Sequence, residues 1–199
     1  MLRILFVQKF ILFLLIGLFW ACQSSSVSLP ILGPPEHRIQ AFRFMNQDSL
    51  WVDNQTFKEK IYVADFFFTT CPAICPIMKN QMLRVYEKYD SEERVSLLSH
   101  TIDPIYDTLP LLRDFASKLG VETQKWHFVT GDMDSIYHIA KHSYFAWAEA
   151  DDQAPGGYLH SGHFILVDNK RQIRGVYDGT VPASVDSLLV DIDLLLEEI

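Results

Sequence analysis

The stretch that decides the fold is Ile61–Pro76, which reads IYVADFFFTTCPAICP. Its first eight residues are a continuous apolar run with a single acid, Asp65, and such runs are typical of a strand buried on both faces. Cys71 and Cys75 follow at once, and Ile77–Tyr89 has the apolar spacing of a helix. The stretch therefore predicts a buried strand that delivers a dithiol to the start of a helix.

Strand and helix patterns alternate on the carboxyl side of this stretch, which indicates a central sheet covered by helices. On the amino side, Arg38–Met45 and Leu50–Val52 are expected to form a β-hairpin. The elements expected on the carboxyl side are strands Arg94–Ile102 and Trp126–Val129, helices Leu109–Leu119 (ended by Gly120), Met133–Phe145 (capped by Asp132) and Ser184–Glu198, hairpin strands His163–Val167 and Ile173–Tyr177, and an acidic loop Trp147–Tyr158. A dithiol at the end of the first inner strand is where the thioredoxin fold keeps its active site. We therefore predict an α/β, thioredoxin-like fold: a central mixed β-sheet flanked by helices, with an N-terminal β-hairpin extension.

Length and composition narrow the possible functions. The chain has 199 residues, about one domain, and 49% of them are hydrophobic, which excludes a mostly disordered chain. Acids outnumber bases 25 to 17 and no basic run occurs, so the composition argues against nucleic-acid binding, which needs clustered Lys and Arg. Three cysteines are too few for a disulfide-built scaffold.

The N-terminus has the features of an export signal. Arg3 and Lys9 precede the apolar run Phe10–Ala21, which has the length of a signal-peptide core and is shorter than the about 20 residues that span a bilayer. A small residue followed by Cys22 resembles a bacterial lipoprotein signal, in which that cysteine becomes the lipidated first residue. An uncleaved membrane anchor and a plain cleaved signal are the alternatives, and all three place the body outside the cytoplasm, facing a membrane.

These interpretations divide the chain into three parts. They are a lipoprotein-type signal peptide (1–21), a flexible tether rich in Ser, Pro and Gly (22–36), and a thioredoxin-like domain (37–199). With lipid on Cys22, Cys71 and Cys75 would be the two free cysteines, in an oxidising compartment.

The Cys71/Cys75 pair fits three kinds of site. If Cys71 lies at the start of the helix, Cys75 lies one turn on and on the same face, within reach of one ion or one disulfide. The positive end of the helix favours thiolate, and Pro72 and Pro76 suit a first turn. A structural disulfide, thiol–disulfide exchange and metal binding all remain open; thioredoxin-type exchange usually has two residues between the cysteines, and here there are three. As metal ligands, two soft thiolates favour Cu(I), or zinc with more ligands.

A histidine is the expected third donor. Most of the seven histidines are interpreted as ordinary surface or core residues. His160 differs because it ends a glycine-bearing loop and begins a strand expected beside the dithiol strand, which would bring it toward the cysteines. His163, three residues on, is expected on the opposite face. Met78 and Met82 are soft donors too, but their helical spacing indicates core packing.

These motifs together resemble the SCO/SenC copper chaperones, thioredoxin-like proteins that serve cytochrome c oxidase assembly. The resemblance covers about residues 38–199. The segments that carry it are Phe68–Pro76, Thr101–Thr108, Trp126–Asp132 and His160–Asp168. A CPxxCP pair alone is moderately specific, but an Asp-Pro-x-x-Asp-Thr stretch and a distal His-Ser make the combination strong.

The resemblance implies one copper ion, as Cu(I) and often Cu(II), bound by Cys71, Cys75 and His160. It also implies delivery of that copper to the copper A centre of oxidase subunit II, or prior reduction of the subunit's cysteines, by a membrane-tethered protein that faces outward. Ala73 stands where many members have an acid, and Thr70 where many have histidine. Ala73 removes a charge from beside the site, and partner docking and redox tuning are therefore the implications that this departure affects.

Two other functions compete with copper delivery. An exported thiol–disulfide oxidoreductase acting on the oxidase subunit would need Cys71 and Cys75 but not His160. A structural lipoprotein with an inert disulfide would bind no metal. Asp103 and Asp107, in the loop after the second inner strand, are interpreted as turn and helix-capping residues rather than as support for the copper loop.

Overall fold

The computed structural model of the protein describes residues 28–151, 153 and 156–199. The predicted signal peptide (1–21) and the predicted lipidation site, Cys22, lie outside the described residues. Within the described part of the chain, none of the helices has the length and apolar character needed to span a bilayer.

The described residues form one mixed α/β domain. The strands are β1 (Arg43–Asn46), β2 (Trp51–Asp53), β3 (Ile61–Phe67), β4 (Val95–Thr101), β5 (Trp126–Thr130), β6 (Ala148–Ala150), β7 (Tyr158–His160), β8 (His163–Val167) and β9 (Ile173–Asp178), and the helices are α1 (Cys75–Tyr89), α2 (Leu109–Leu119), α3 (Met133–His142) and α4 (Pro182–Glu198). Seven strands make one sheet in the order β2-β1-β5-β4-β3-β8-β9, and β6 and β7 form a separate hairpin. The predicted mixed sheet, its N-terminal hairpin extension and the flanking helices are confirmed.

The dithiol strand lies inside the sheet because both its faces are apolar. β3 is buried along its whole length, with β4 parallel to it on one side and β8 antiparallel on the other. β5 continues the parallel run beyond β4. The carboxyl ends of β3, β4 and β5 therefore meet at one edge of the sheet, which we call the carboxyl edge, and the cysteines follow β3 at this edge.

Two of the predicted helix boundaries are confirmed by their caps, and one helix is shorter than predicted. Gly120 ends α2 in a left-handed conformation with φ of 70°, and the Asp132 carboxylate accepts from the Ser135 amide (2.8 Å) at the start of α3. α3 ends three residues before Phe145 because that residue adopts a positive φ of 53°, which a continuing helix does not allow.

The chain is attached to the domain earlier than the sequence predicts. Leu29 is buried, and the guanidinium of Arg174 donates to the carbonyl oxygens of Leu29 (2.6 Å) and Pro30 (3.2 Å). Leu32 then pairs with β9. The structure therefore corrects the predicted free tether (22–36) at its carboxyl end, because a buried cation and one strand hold that end against the sheet.

The first predicted strand is also shorter than expected. Its early part runs along the turn before β9, where the Ile39 amide donates to the Arg171 carbonyl (2.9 Å). Pairing with β5 begins only at Met45, opposite Thr130. The alternating pattern that predicted Arg38–Met45 therefore reflects burial against two different neighbours rather than one continuous strand.

Candidate metal centre

The first half of the site comes from the turn between β3 and α1. After the buried Phe68 the chain bends, and the Cys71 amide donates to the Phe68 carbonyl (3.2 Å). α1 begins only at Cys75, with Pro76 in its first turn. The expectation that Cys71 opens the helix is therefore wrong. A tight turn precedes the helix, and it still returns the first cysteine to the second.

The second half of the site comes from the β6–β7 hairpin. This part of the chain was predicted as an acidic loop, and that prediction is wrong, because Ala148 pairs with His160 and Ala150 with Tyr158. His160 thus ends a short strand outside the main sheet rather than beginning a strand beside β3. His163 begins β8, is exposed and takes no part in the site.

A glycine allows this hairpin to lie against the dithiol turn. Gly156 has a φ of +84°, and a Cβ built on it would lie 2.8 Å from the ring of Phe68 and 3.2 Å from Pro72. Only a residue without a side chain permits this approach. The ring of Phe68 in turn contacts Tyr158 and meets His160 edge-on, with ring centroids 5.8 Å apart.

The two halves bring three donors together. One ligand atom from each of Cys71, Cys75 and His160 lies within 4.8 Å of the other two, and no other group of three potential ligands is this close in the part of the chain that the structure describes. Nε2 of His160 lies 3.4 Å from the Cys75 sulfur. Both cysteines are buried as free thiols, so the structure joins the three residues that the sequence singled out.

The histidine is oriented by its own neighbour. Nδ1 of His160 lies 3.3 Å from the Ser161 carbonyl oxygen, so the ring donates from Nδ1 and leaves the Nε2 lone pair facing the cysteines. Such a backbone partner is the usual way to fix the tautomer of a metal-binding imidazole.

Burial sets the resting protonation of the donors. It raises the pKa of the Cys75 thiol well above its ordinary value, and the neighbouring Cys71 and Asp65 act in the same direction. Burial also lowers the pKa of His160. At neutral pH the resting site therefore holds a Cys75 thiol and a neutral imidazole. For Cys75 burial therefore acts against the thiolate that the helix terminus favours, and a bound metal would displace the thiol proton.

Asp107 holds the turn before Cys71, a role that the sequence analysis set aside. Its buried carboxylate accepts from the Thr69 amide (3.1 Å), from the Thr69 hydroxyl and from the Thr101 hydroxyl (2.5 Å). It therefore links β4 to the dithiol turn across the carboxyl edge. Asp103 behaves as predicted and accepts from the Tyr106 amide within its own turn (3.3 Å).

A small cavity lies beneath the two cysteines. It has a volume of about 60 Å³ and its lining includes Cys71, Cys75, Asp65, Ser99 and Trp126. The indole N–H of Trp126 donates to the Ser99 hydroxyl (2.8 Å), and this hydroxyl donates to the Asp65 carboxylate (2.5 Å). Burial raises the pKa of this aspartate to about 7. The signal for this network was the single acid in an otherwise apolar strand.

The remaining predictions around the site concern packing and exposure. Phe66, Phe68, Met78, Met82, Trp126 and Phe128 are all buried in the core, as predicted. Thr70 and Ala73, the two departures from the resembled family, are exposed beside the cysteines. They therefore change the surface around the site rather than its ligands.

Comparisons with known proteins agree with this geometry. The family model SCO1/SenC matches residues 33–195. The SCO1 protein homolog of Bacillus subtilis (strain 168) is 30% identical over 167 residues, covering 81% of this chain and 84% of that protein. A SCO1/SenC family lipoprotein from Bacillus anthracis has a similar structure, with a TM-score of 0.75 and 25% identity over 84% of this chain and 99% of its own. BsSco, a cytochrome c oxidase assembly protein with an identified disulfide switch, gives a TM-score of 0.71 and 28% identity over 83% of this chain and 96% of its own.

Proposed function

The chain belongs to the SCO1/SenC family, and we propose that it binds one copper ion through Cys71, Cys75 and His160. The observation that carries this proposal is the convergence of two thiols and an imidazole from two separate parts of the chain, with Cys75 and His160 85 residues apart in sequence and 3.4 Å apart in space. Two soft sulfur donors and one imidazole suit Cu(I).

The donor set also accounts for two copper oxidation states. With both thiolates bound, the site carries a net charge of −1 with Cu(I) and zero with Cu(II). Cu(II) usually takes a fourth donor, and water is the simplest one. Three protein ligands leave an open side, so a thiolate of an acceptor can enter before a ligand of this chain leaves. His160, on a hairpin outside the main sheet, is the ligand best placed to be released.

We further propose that the protein works outside the cytoplasm, tethered to a membrane, and supplies copper to the copper A centre in subunit II of cytochrome c oxidase. Three observations support this proposal. Sco proteins such as BsSco take part in oxidase assembly, the Bacillus anthracis neighbour is a lipoprotein, and the sequence around Cys22 has the pattern of a lipoprotein signal.

A second candidate function uses the same cysteines without copper. Because both thiols are free and lie together, the protein is suited to reduce a disulfide of the oxidase subunit. In that reaction one cysteine thiolate attacks a partner sulfur and the partner's second sulfur leaves. The other cysteine then breaks the mixed disulfide, so the partner gains two electrons and two protons and Cys71 and Cys75 become a disulfide. His160 has no part in this chemistry.

Anaerobic copper titration of the reduced full chain in detergent tests the copper site. We expect one tightly bound Cu(I) per chain, and loss of tight binding when Cys71→Ser or Cys75→Ser removes a sulfur donor. The matched control is Cys22→Ser, which removes a cysteine that lies outside the domain in sequence. Tight stoichiometric binding that survives in the Cys71 and Cys75 variants would contradict the proposal.

Incubation with an oxidised or apo copper A domain separates the two functions. Delivery predicts copper on the acceptor and a requirement for His160 as well as both cysteines. Reduction predicts new thiols on the acceptor that His160→Ala leaves unchanged. If neither copper nor electrons move to the acceptor, this domain is not the partner.

The tether is tested by mass spectrometry of the chain expressed in a bacterial host. Lipidation predicts a mature protein that begins at Cys22 and carries acyl chains, and Cys22→Ser should remain unprocessed. An intact N-terminus with no added lipid would instead support the uncleaved anchor.

A further inference from the structure

Helix α3 carries two exposed histidines that play no part in the centre described above. His138 and His142 lie one turn apart, so both side chains project from the same face of the helix. Their ring centroids are 4.6 Å apart and the ring planes are tilted by 39°. Two imidazoles this close on one face of a helix are within reach of a common metal ion.

The surroundings of the pair leave lone pairs available. Nε2 of His138 lies 3.2 Å from the Gln40 side-chain oxygen, so this ring donates from Nε2 and keeps the Nδ1 lone pair. The imidazole of His142 neither donates nor accepts a hydrogen bond among the described residues. Asp134 lies one turn before His138, and both line an open groove of about 530 Å³.

The helix itself favours a cation at this place. His142 is in the last turn of α3, where the carbonyl end of the helix dipole attracts positive charge. Asp134 adds a negative charge on the same face, four residues from His138. Lys141, also in the last turn, is the one nearby group in α3 that opposes a cation.

We propose that His138 and His142 chelate a divalent metal ion, Cu(II) or Zn(II), with water completing the coordination. Two nitrogens from one helix face occupy neighbouring positions around a metal, which suits tetragonal Cu(II) and tetrahedral Zn(II). Among divalent ions, sites with nitrogen and oxygen donors bind Cu(II) more tightly than Zn(II). This second site does not depend on the function proposed for the cysteines.

The two sites differ in donor chemistry and in place. The Cys71/Cys75/His160 centre has soft donors, is largely buried and suits Cu(I), whereas the histidine pair has nitrogen donors, is exposed and suits divalent ions. α3 starts just after the carboxyl edge and runs away from it, so His142 lies about 14 Å further along the helix than Met133. The histidine pair would therefore be a second site, selective for divalent ions and separate from the centre that suits Cu(I).

Titration of the full chain with both cysteines of the first centre replaced (Cys71→Ser, Cys75→Ser) isolates the second site. With CuCl₂ under air, we expect one Cu(II) per chain by calorimetry and an electron paramagnetic resonance spectrum with splitting from two imidazole nitrogens. ZnSO₄ should compete for the same site and bind more weakly. Adding His138→Ala or His142→Ala should lower the Cu(II) affinity at least tenfold.

The control is His163→Ala, which removes another exposed histidine and should leave the affinity unchanged. His138→Gln is a second variant that keeps a side chain able to donate to Gln40 while removing the imidazole, and it should lose affinity like His138→Ala. Circular dichroism should show an unchanged fold in all four variants, because each position is exposed. Unchanged affinity in the His138 and His142 variants, or an equal loss in His163→Ala, would overturn the proposal.

Discussion

The dithiol half and the histidine half of the metal centre are built in different ways. Cys71 and Cys75 follow a strand that is buried on both faces and paired on both sides. Cys75 is also the first residue of α1, a helix whose inner face is buried in the core. His160 ends a three-residue strand whose one partner among the described strands is β6. The dithiol half (the sheet half) is thus continuous with the main sheet, whereas the histidine half (the hairpin half) belongs to a separate hairpin.

The different attachment of the sulfur and imidazole donors suggests how one site can both hold a metal and release it. The sulfur donors sit on elements whose movement would disturb the whole core. The imidazole sits on an element held against Phe68 and Pro72 by side-chain contacts and the close approach of Gly156. We therefore expect the sheet half to govern whether the metal binds, and the hairpin half to govern its oxidation state and its release. Four substitutions test this division.

The largest effect is expected from His160→Ala, which removes the donor of the hairpin half. The visible Cu(II)–thiolate absorption should disappear, because two thiolates alone do not satisfy Cu(II). Cu(I) should still bind, with an affinity reduced by more than the roughly 10–100-fold that loss of an outer-shell partner costs. His163→Ala, in the same segment but outside the site, should change neither. An unchanged Cu(II) spectrum in His160→Ala would remove this histidine from the ligand set.

The next effect is expected from displacing the hairpin without changing a ligand. Gly156→Ala places a methyl group 2.8 Å from the ring of Phe68, so the hairpin must shift and carry His160 away from the sulfurs. Cu(II) affinity, measured by competition with a chelator, should fall about tenfold for a misplacement of this kind.

Gly157→Ala is the matched control for that substitution. Gly157 has nearly the same φ, +85°, but apart from its chain neighbours no atom of the described residues lies within 4 Å of the added methyl group. Both variants therefore carry the same backbone strain, about 1 kcal/mol, and only Gly156→Ala carries the clash. Equal losses of copper affinity would mean that strain, not the contact with Phe68, accounts for the effect.

A smaller effect is expected from Asp107→Asn, which loosens the sheet half. The amide lacks one of the acceptor oxygens that hold Thr69 and Thr101, so the turn before Cys71 loses part of its anchor. We expect the free energy of unfolding to fall by about 1–3 kcal/mol and both copper states to weaken together. Asp114→Asn, whose carboxylate forms an ion pair with Lys118 on the surface of α2, should leave copper binding unchanged. Selective loss of Cu(II) in Asp107→Asn would contradict the division into two halves.

We expect His100→Leu to leave copper binding unchanged and to alter only the pH dependence of the unfolding free energy. Burial lowers the pKa of His100 to about 3, and neither of its ring nitrogens has a partner among the described residues. The unfolded chain protonates this residue below about pH 6.5, whereas the folded protein does not. The neutral His100 therefore makes its full contribution to the free energy of unfolding above about pH 6.5, and this contribution is lost as the pH falls toward 3.

Urea unfolding at several values between about pH 4 and pH 7 measures this contribution. His100→Leu should reduce the pH slope of the unfolding free energy by up to about 1.4 kcal/mol per pH unit. Asp65→Asn should change the slope in the opposite direction, because burial raises the pKa of Asp65 to about 7 and its contribution is lost as the pH rises through that value. A parallel change in copper affinity in His100→Leu would mean that the core and the centre are coupled.

The sheet half could be predicted from sequence because its signals are contiguous. The apolar run of β3, the dithiol after it and the helix of α1 lie within thirty residues of one another, and each has its own periodicity or turn chemistry. The caps at Gly120 and Asp132 are local signals of the same kind. These elements are confirmed to within a few residues.

The hairpin half could not be predicted in the same way. The pairing of Ala148 with His160 joins residues that flank a segment rich in Gly, Pro and acids, and such a composition indicates a loop when it is considered alone. His160 was found through the resemblance to a family and its position after that loop. Asp107 was underrated because its partners, Thr69 and Thr101, are brought to it only by the parallel pairing of β3 and β4.

If the chain is tethered through Cys22 as proposed, the arginine contact with Leu29 and Pro30 limits how far the domain can travel from the membrane. A lipid on Cys22 would leave six residues before Ser28, a span of at most about 20 Å, whereas a chain free up to Glu36 would reach about 50 Å. Confinement to the smaller radius would raise the local concentration near a membrane-embedded acceptor by roughly tenfold. The encounter distance is then set by the size of the domain itself rather than by the length of its tether.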